Sequence, residues 1–134
     1  MMDYFASSPI VVYLSLAPDK CPAAFDVEGP AHPRVELYRE PTAGQVRSMQ
    51  ELFLELGGED MGAPGLTRMT VRRLALQAKS VGGDLSLYAR EGLDWGDSLE
   101  EREAFFNGLV EDDVARSILA IKGSEAIDDD AKKK

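Results

Sequence analysis

The side chains able to do chemistry in this chain are few, and their spacing limits what they can do. There is one histidine, His32, and one cysteine, Cys21. A cysteine nucleophile needs a base beside it, a third group to orient that base and donors for the developing oxyanion. His32 falls in a Gly29-Pro30-Ala31-His32-Pro33 break, and neither an oxyanion loop nor an orienting group is legible near either residue. Cys21 therefore reads as a small apolar residue ahead of Pro22, and His32 as a turn residue. A lone cysteine also cannot form an internal disulfide and supplies too few ligands for a thiolate metal site. The carboxylates cluster at helix starts and near the end of the chain, where capping and solubility account for them. Asp128-Asp129-Asp130 lacks the mid-loop glycine and terminal glutamate of a calcium loop. No Gly-x-Gly-x-x-Gly follows a strand, and neither a Gly-Lys-Ser/Thr phosphate loop nor His-Glu-x-x-His occurs. The expectation is a protein with no catalytic residue, no metal site and no cofactor, and hence not an enzyme.

Composition narrows the partners. With 24 acidic against 15 basic residues the formal net charge is -9, the wrong sign for a groove that displaces counterions from nucleic acid. No apolar run approaches the roughly 20 residues that span a bilayer, and Met1 to Ser8 lack the basic region of a secretory signal. A soluble chain in a reducing compartment, with neither nucleic acid nor membrane as partner, is expected. At 134 residues and 44% hydrophobic content, one core is the natural yield. The sequence predicts a single α+β domain over residues 1–123 and a charged tail, 124–134, too polar to bury and expected to be disordered.

The elements that must position any site follow from periodicity. Pro9 to Leu16 is β-branched and apolar and reads as a strand closed by Ala17-Pro18-Asp19. Phe25 and Val27 alternate with Asp26 and Glu28, and Val35 and Leu37 with Arg34, Glu36 and Tyr38, which predicts two half-buried strands joined as a hairpin. A small N-terminal antiparallel β hairpin or sheet, about 9–40, followed by about four helices, 42–122, is the architecture expected. Pro41 disfavours helix at Glu40, and Thr42 with Gln45 forms a capping box, so strand gives way to helix within a few residues. That first helix should run to about Leu56 with Val46, Met49, Phe53 and Leu56 on one face and Leu52 beside them, ended by Gly57-Gly58. The Gly- and Pro-rich stretch from Glu59 to Gly65 predicts an irregular connection. A second helix, about Thr67 to Val81, places Val71, Leu74, Ala75, Ala78 and Val81 on a stripe. Residues from Gly82 to Gly96 fit either a short helix near Leu85 to Arg90 or a packed loop, with Trp95 as an anchor. Ser98 and Glu101 form a second capping box ahead of Phe105, Phe106 and Leu109. Glu111-Asp112-Asp113 favours the positive end of a last helix, carried by Val114, Ile118, Leu119 and Ile121 to Gly123.

What remains for function is helix surface. Met49, Phe53, Met69, Phe105 and Phe106 are flexible or aromatic side chains suited to gripping another helix, set against the plain alternative that they fill the core. Arg68, Arg72 and Arg73, with Lys79, make the second helix the one basic element of an acidic chain; they read as a solvated face paired with nearby acids, or as a contact with an acidic partner. Those eight residues, Met49, Phe53, Arg68, Met69, Arg72, Arg73, Phe105 and Phe106, are the candidate partner-binding set.

The phrase Arg39-Glu40-Pro41-Thr42-Ala43-Gly44-Gln45 after a short β segment resembles the tail assembly chaperones of long-tailed bacteriophages, whose members show a β hairpin, a similar phrase before the first helix and a helical remainder. The stretch from Leu99-Glu100-Glu101-Arg102-Glu103 through Asp112-Asp113-Val114 is similar to their acidic second half. The resemblance implies a chaperone in the cytoplasm of the infected bacterial host. It would bind the tape measure protein through apolar helix stripes, without nucleotide hydrolysis, until tail tube protein competes for the same surface; self-association is compatible with the same stripes. Two other classes stay open: a structural virion component, such as a baseplate or tail-completion protein, and a small acidic interaction protein or inhibitor, against which the Arg68, Arg72 and Arg73 cluster counts. For the opening stretch itself the expectation is local: Thr42→Ala lowers stability by about 1 kcal/mol in urea unfolding, the usual loss for an N-cap.

Overall fold

Thr42 does what its spacing to Gln45 dictates. In the computed structural model, which describes residues 9–133 and the side chains of 9–123, Thr42 Oγ1 accepts from the Gln45 N–H at 3.2 Å and Gln45 Oε1 accepts from the Thr42 N–H at 3.0 Å. Helix α1 (Ala43–Glu55) begins there. Gly57, with a φ of 106°, turns the chain out of it through left-handed backbone, where a β-carbon would be strained. The second capping box forms in the same way, Ser98 Oγ accepting from the Glu101 N–H at 3.0 Å, and opens α3 (Leu99–Asn107).

The fold is α+β: strands β1 (Ile10–Tyr13), β2 (Arg34–Leu37) and β3 (Ala78–Gly82) form one antiparallel sheet in the order β1-β2-β3, with α1, α2 (Gly62–Gln77), α3 and α4 (Glu111–Lys133) around it. The structure departs from the sequence reading in three places, two of which change what the sheet is. Residues 25–28 are not a strand, and β2 takes β1 as its hairpin partner, with Ile10 opposite Leu37 and Tyr13 opposite Arg34. The intervening loop is pinned by His32, which is buried: its Nδ1 accepts from the Glu28 N–H at 2.9 Å, and its Nε2 lies 2.9 Å from the Leu14 carbonyl. Glu28 sits in left-handed backbone at φ 63° to make that contact.

The second departure is at the end of α2, which stops at Gln77 and not near Val81. Ala78 to Gly82 straightens into β3 and pairs with the free side of β2, Val81 opposite Val35. Ala78, on the apolar stripe expected of the helix, is also buried as the first residue of β3, so apolar spacing does not separate helix from strand here; the unpaired edge of β2 does. The sheet is therefore not wholly N-terminal. Third, the Gly-Pro stretch is regular: a 3-10 turn (Gly58–Asp60) leads into α2, and Pro64 occupies its first turn, where a missing N–H costs nothing.

Both outer strands have a carbonyl covered by an arginine. Arg116 Nη1 donates to the Tyr13 carbonyl and Arg102 Nη1 to the Ala78 carbonyl, each at 2.9 Å, which blunts edges open to further pairing. The core lies between the sheet and α2, α3 and α4, where Val35, Leu37, Leu74, Phe105, Phe106 and Ile121 are fully buried. Helix α4 continues past Gly123, and Leu119, expected on its apolar face, is exposed. The stretch 124–133, expected as part of a disordered charged tail, is a continuation of that helix, and the expectation of a leaderless Met1 to Ser8 falls outside the described residues.

The most connected buried group is a carboxylate. Asp113, in the first turn of α4, is 0% exposed. Its carboxylate accepts from the Ser15 N–H at 3.0 Å, the Ser15 hydroxyl at 2.8 Å, the Tyr88 hydroxyl at 2.6 Å and Arg116 Nη2. Tyr88 Oη in turn accepts from the Val110 N–H at 2.8 Å. Burial, then the bond to Asp113, raises the Tyr88 pKa above its ordinary value. A tyrosine pKa raised by folding stabilises fully below the unfolded value of about 10 and is lost as pH climbs toward the folded one. Alkaline destabilisation setting in above about pH 10 is expected. Tyr88→Phe, less stable at neutral pH by about 1–2 kcal/mol for the lost bonds, should weaken that slope; Asp113→Ala, which strands the donors and Arg116, should cost about 3 kcal/mol or more by urea unfolding.

Candidate functional site

Helix α1 carries more apolar side chains than one stripe can bury. Val46, Met49, Leu52, Phe53, Leu54 and Leu56 spread over more than half its circumference at 3.6 residues per turn, and of these only Leu52 is fully buried. The core face is thus centred on Leu52, and not on the line through Val46, Met49 and Phe53. Those residues, with Leu54, form one wall of a groove of roughly 640 Å³; Met69, Arg73, Leu76 and Gln77 of α2 form the other, and Pro41 and Gln45 close one end. Val46 is 41% exposed, Leu54 74%, and Leu66, three residues before Met69 on the same face of α2, 62%.

Polar bonds set the groove's width where apolar packing does not. Gln45 Nε2 donates to the Leu76 carbonyl at 2.7 Å, so the start of α1 is tied to the end of α2. Gln77 is buried; its amide donates to the Tyr38 carbonyl at 2.9 Å, and its backbone carbonyl accepts from the Tyr38 N–H at 2.7 Å. Its Oε1 accepts from Arg73 Nε at 3.0 Å. Burial of the guanidinium pushes the Arg73 pKa down from its ordinary value. Among the described lining residues Arg73 carries the one formal charge, and there is no acid, in a chain of net charge -9.

Four of the eight candidate residues, Met49, Phe53, Met69 and Arg73, come together here. The other four do not. Arg72 Nε lies 2.6 Å from Glu103 Oε2 and Arg68 Nε 3.9 Å from Glu103 Oε1, so this part of the basic helix pairs with an acid of α3. Phe105 and Phe106 are core residues, stacked edge-to-face with one another at 5.4 Å, and offer no surface to a partner. Leu54, Val46 and Leu76 were not singled out from the sequence, although the surplus of apolar residues on α1 is a signal for the first two.

His32 is engaged in structure, while Cys21 is a free, half-buried thiol. Both ring nitrogens of His32 are engaged with backbone atoms, and Phe25 and Tyr13 pack on its ring. Trp95 is an anchor, edge-on to Phe105 at 5.1 Å under the Arg102 guanidinium. Among the described residues no group of three or more His, Cys, Asp or Glu is placed to hold a metal ion, and no helix is long and apolar enough to cross a membrane. A smaller hollow is lined by Leu85 and Leu93 as well as Lys20, Arg90 and Asp94 and carries an exposed Lys20–Glu91 pair at 3.2 Å, an interaction that contributes little.

Fold and groove together define a small α+β domain with an apolar trough on a helical hairpin. Comparison with protein-family models, with curated proteins and with solved structures finds no match to the chain. The trough itself is testable. Leu54→Glu, at an exposed position, should leave stability within about 0.5 kcal/mol yet lower the fluorescence of the apolar dye ANS bound to the folded protein several-fold; unchanged dye binding would contradict an accessible apolar groove.

Proposed function

We propose that this protein is a phage tail assembly chaperone that holds an apolar helix of the tape measure protein in the α1/α2 groove until tail tube protein takes its place. One observation carries the reading: in an acidic chain the described lining of a groove on a helical hairpin is apolar and holds no acid, with two methionines, Met49 and Met69, in it. Methionine adapts its shape to varied partners, which suits a protein that must cover successive stretches of a long helical polypeptide. The resemblance of Arg39 to Gln45 to the chaperone phrase supports the same reading, and that phrase leads directly into the helix forming one wall.

The mechanism requires no bond to be made or broken. A tape measure segment exposes apolar helix stripes that associate with one another; the groove covers one of them reversibly, and the net charge of -9 keeps covered complexes apart. Release follows when tube subunits bind the same stripe more favourably, a difference of affinities that needs no nucleotide. The site of action is the cytoplasm of the infected host.

Co-expression with the tape measure protein tests this directly. The wild-type chain should raise the soluble fraction of the tape measure protein several-fold, and Leu54→Glu, folded but with an acid in the groove, should lose most of that gain. Equal rescue by the two chains would remove the groove from the mechanism. Abundant recovery of the protein in purified virions would replace the chaperone reading with a structural one.

A further inference from the structure

Sulphur lines both walls of the groove. The chain has five methionines, and two of them face one another across this trough, Met49 on α1 and Met69 on α2. Both are half-buried and stand outside the core, beside Val46 at 41% and Leu54 at 74% exposure, so a small polar oxidant reaches them with the fold intact. Met61 is half-buried as well, but its side chain lies over Gly65, where a β-carbon would collide with it, and it forms no part of the groove lining.

Hydrogen peroxide transfers one oxygen atom to a thioether: the O–O bond breaks, an S–O bond forms, the sulphur is oxidised and the peroxide leaves as water. The sulfoxide is polar, and its oxygen demands hydrogen bonds that the flexible apolar side chain did not. Val46, Phe53, Leu54 and Leu76 in the same lining offer none. The amides at one end of the groove are engaged, Gln45 with the Leu76 carbonyl and Gln77 with the Tyr38 carbonyl. An oxidised wall therefore draws water into the trough. Leucine at the same places would be as apolar and inert to the reagent, so methionine on both walls ties the polarity of the groove to the oxidation state of sulphur.

We propose that Met49 and Met69 form a paired oxidation site, and that conversion to the sulfoxide turns the groove polar and weakens its hold on apolar ligands while the core stays in place. The change is reversible, since methionine sulfoxide reductases return the thioether. It acts on the walls, and so does not depend on which apolar partner the groove covers.

Mild peroxide treatment of the full chain tests this, with Cys21→Ser in every sample to keep thiol oxidation out of the readout. Peptide mass mapping should find one added oxygen at Met49 and one at Met69. The thermal melt should shift little, while the fluorescence of bound ANS should fall several-fold and return after reductase treatment. Met49→Leu with Met69→Leu should keep its ANS fluorescence through the same treatment, and Met61→Leu should lose it as the parent does. Unoxidised Met49 and Met69 in the folded chain, oxidation that leaves ANS binding unchanged, or an equal loss in the double leucine variant overturns the inference. Absence of ANS binding before treatment overturns it as well, because the groove is then closed to apolar ligands. A melt that collapses on oxidation in the parent but not in the double leucine variant assigns the two sulphurs to the core and likewise overturns it.

Discussion

A carboxylate taken out of water must be surrounded by donors, and satisfying Asp113 organises much of this fold. Its partners come from three places in the chain: Ser15, just past β1; Tyr88, after the 3-10 turn Leu85–Leu87; and Arg116, one turn along α4. No two of those segments can shift relative to one another without leaving a buried polar group unpaired. Tyr88 extends the network by accepting from the Val110 N–H, a donor at the start of α4 that has no partner within the helix. Arg116 extends it the other way, since one of its nitrogens also holds the Tyr13 carbonyl at the edge of the sheet. The carboxylate thus fixes β1, the segment around Tyr88 and α4 as one unit; β2 and β3 join it through the sheet ladder, and α2 and α3 pack on it largely through apolar contacts.

Helix α1 stands outside this arrangement, and that is the physical origin of the groove. It commits a single residue, Leu52, to full burial and is otherwise fastened by its capping box and by the bond of Gln45 to the Leu76 carbonyl. A helix anchored at one end by polar bonds does not need its remaining apolar face for stability. Val46 and Leu54 are left exposed and Met49 and Phe53 half-buried, an apolar surface that high net charge helps to keep from aggregating. Places where a sequence violates its own patterning are where function is to be sought, and α1 is such a place: its apolar residues exceed what its position in the fold can bury.

How much was legible varied with the range of the interaction responsible. Both capping boxes, the exit from α1 at Gly57 and the entry into α3 were readable, because each is decided by residues within a turn of one another. The pairing of β2 was misread, since Phe25 to Glu28 alternates like a strand while the conformation is set by His32 reaching back to the Glu28 N–H and across to Leu14. Of the candidate binding residues, Met49, Phe53, Met69 and Arg73 were identified and converge. Phe105, Phe106, Arg68 and Arg72 belong to the core and to the α2–α3 contact, which a list of residue types does not separate from a binding face.

By itself the sequence determined the α+β class, the starts of α1, α3 and α4, most of the α1 boundary, the acidic balance and the absence of the familiar catalytic motifs, because these depend on composition and on neighbours within a few residues. Only the tertiary structure decided that Ala78 to Gly82 leaves helical spacing to complete the sheet, that Asp113 is a buried hub where its place suggested only a charge at a helix start, and that the apolar surplus of α1 meets Met69 and Arg73 across a groove. Each of those outcomes is set by partners distant in the chain: β3 answers an unpaired edge on β2, Asp113 answers Ser15, 98 residues away, and the groove is formed by two helices tied together at one end by the bond of Gln45 to the Leu76 carbonyl. Local propensity is blind to such partners until the chain has folded.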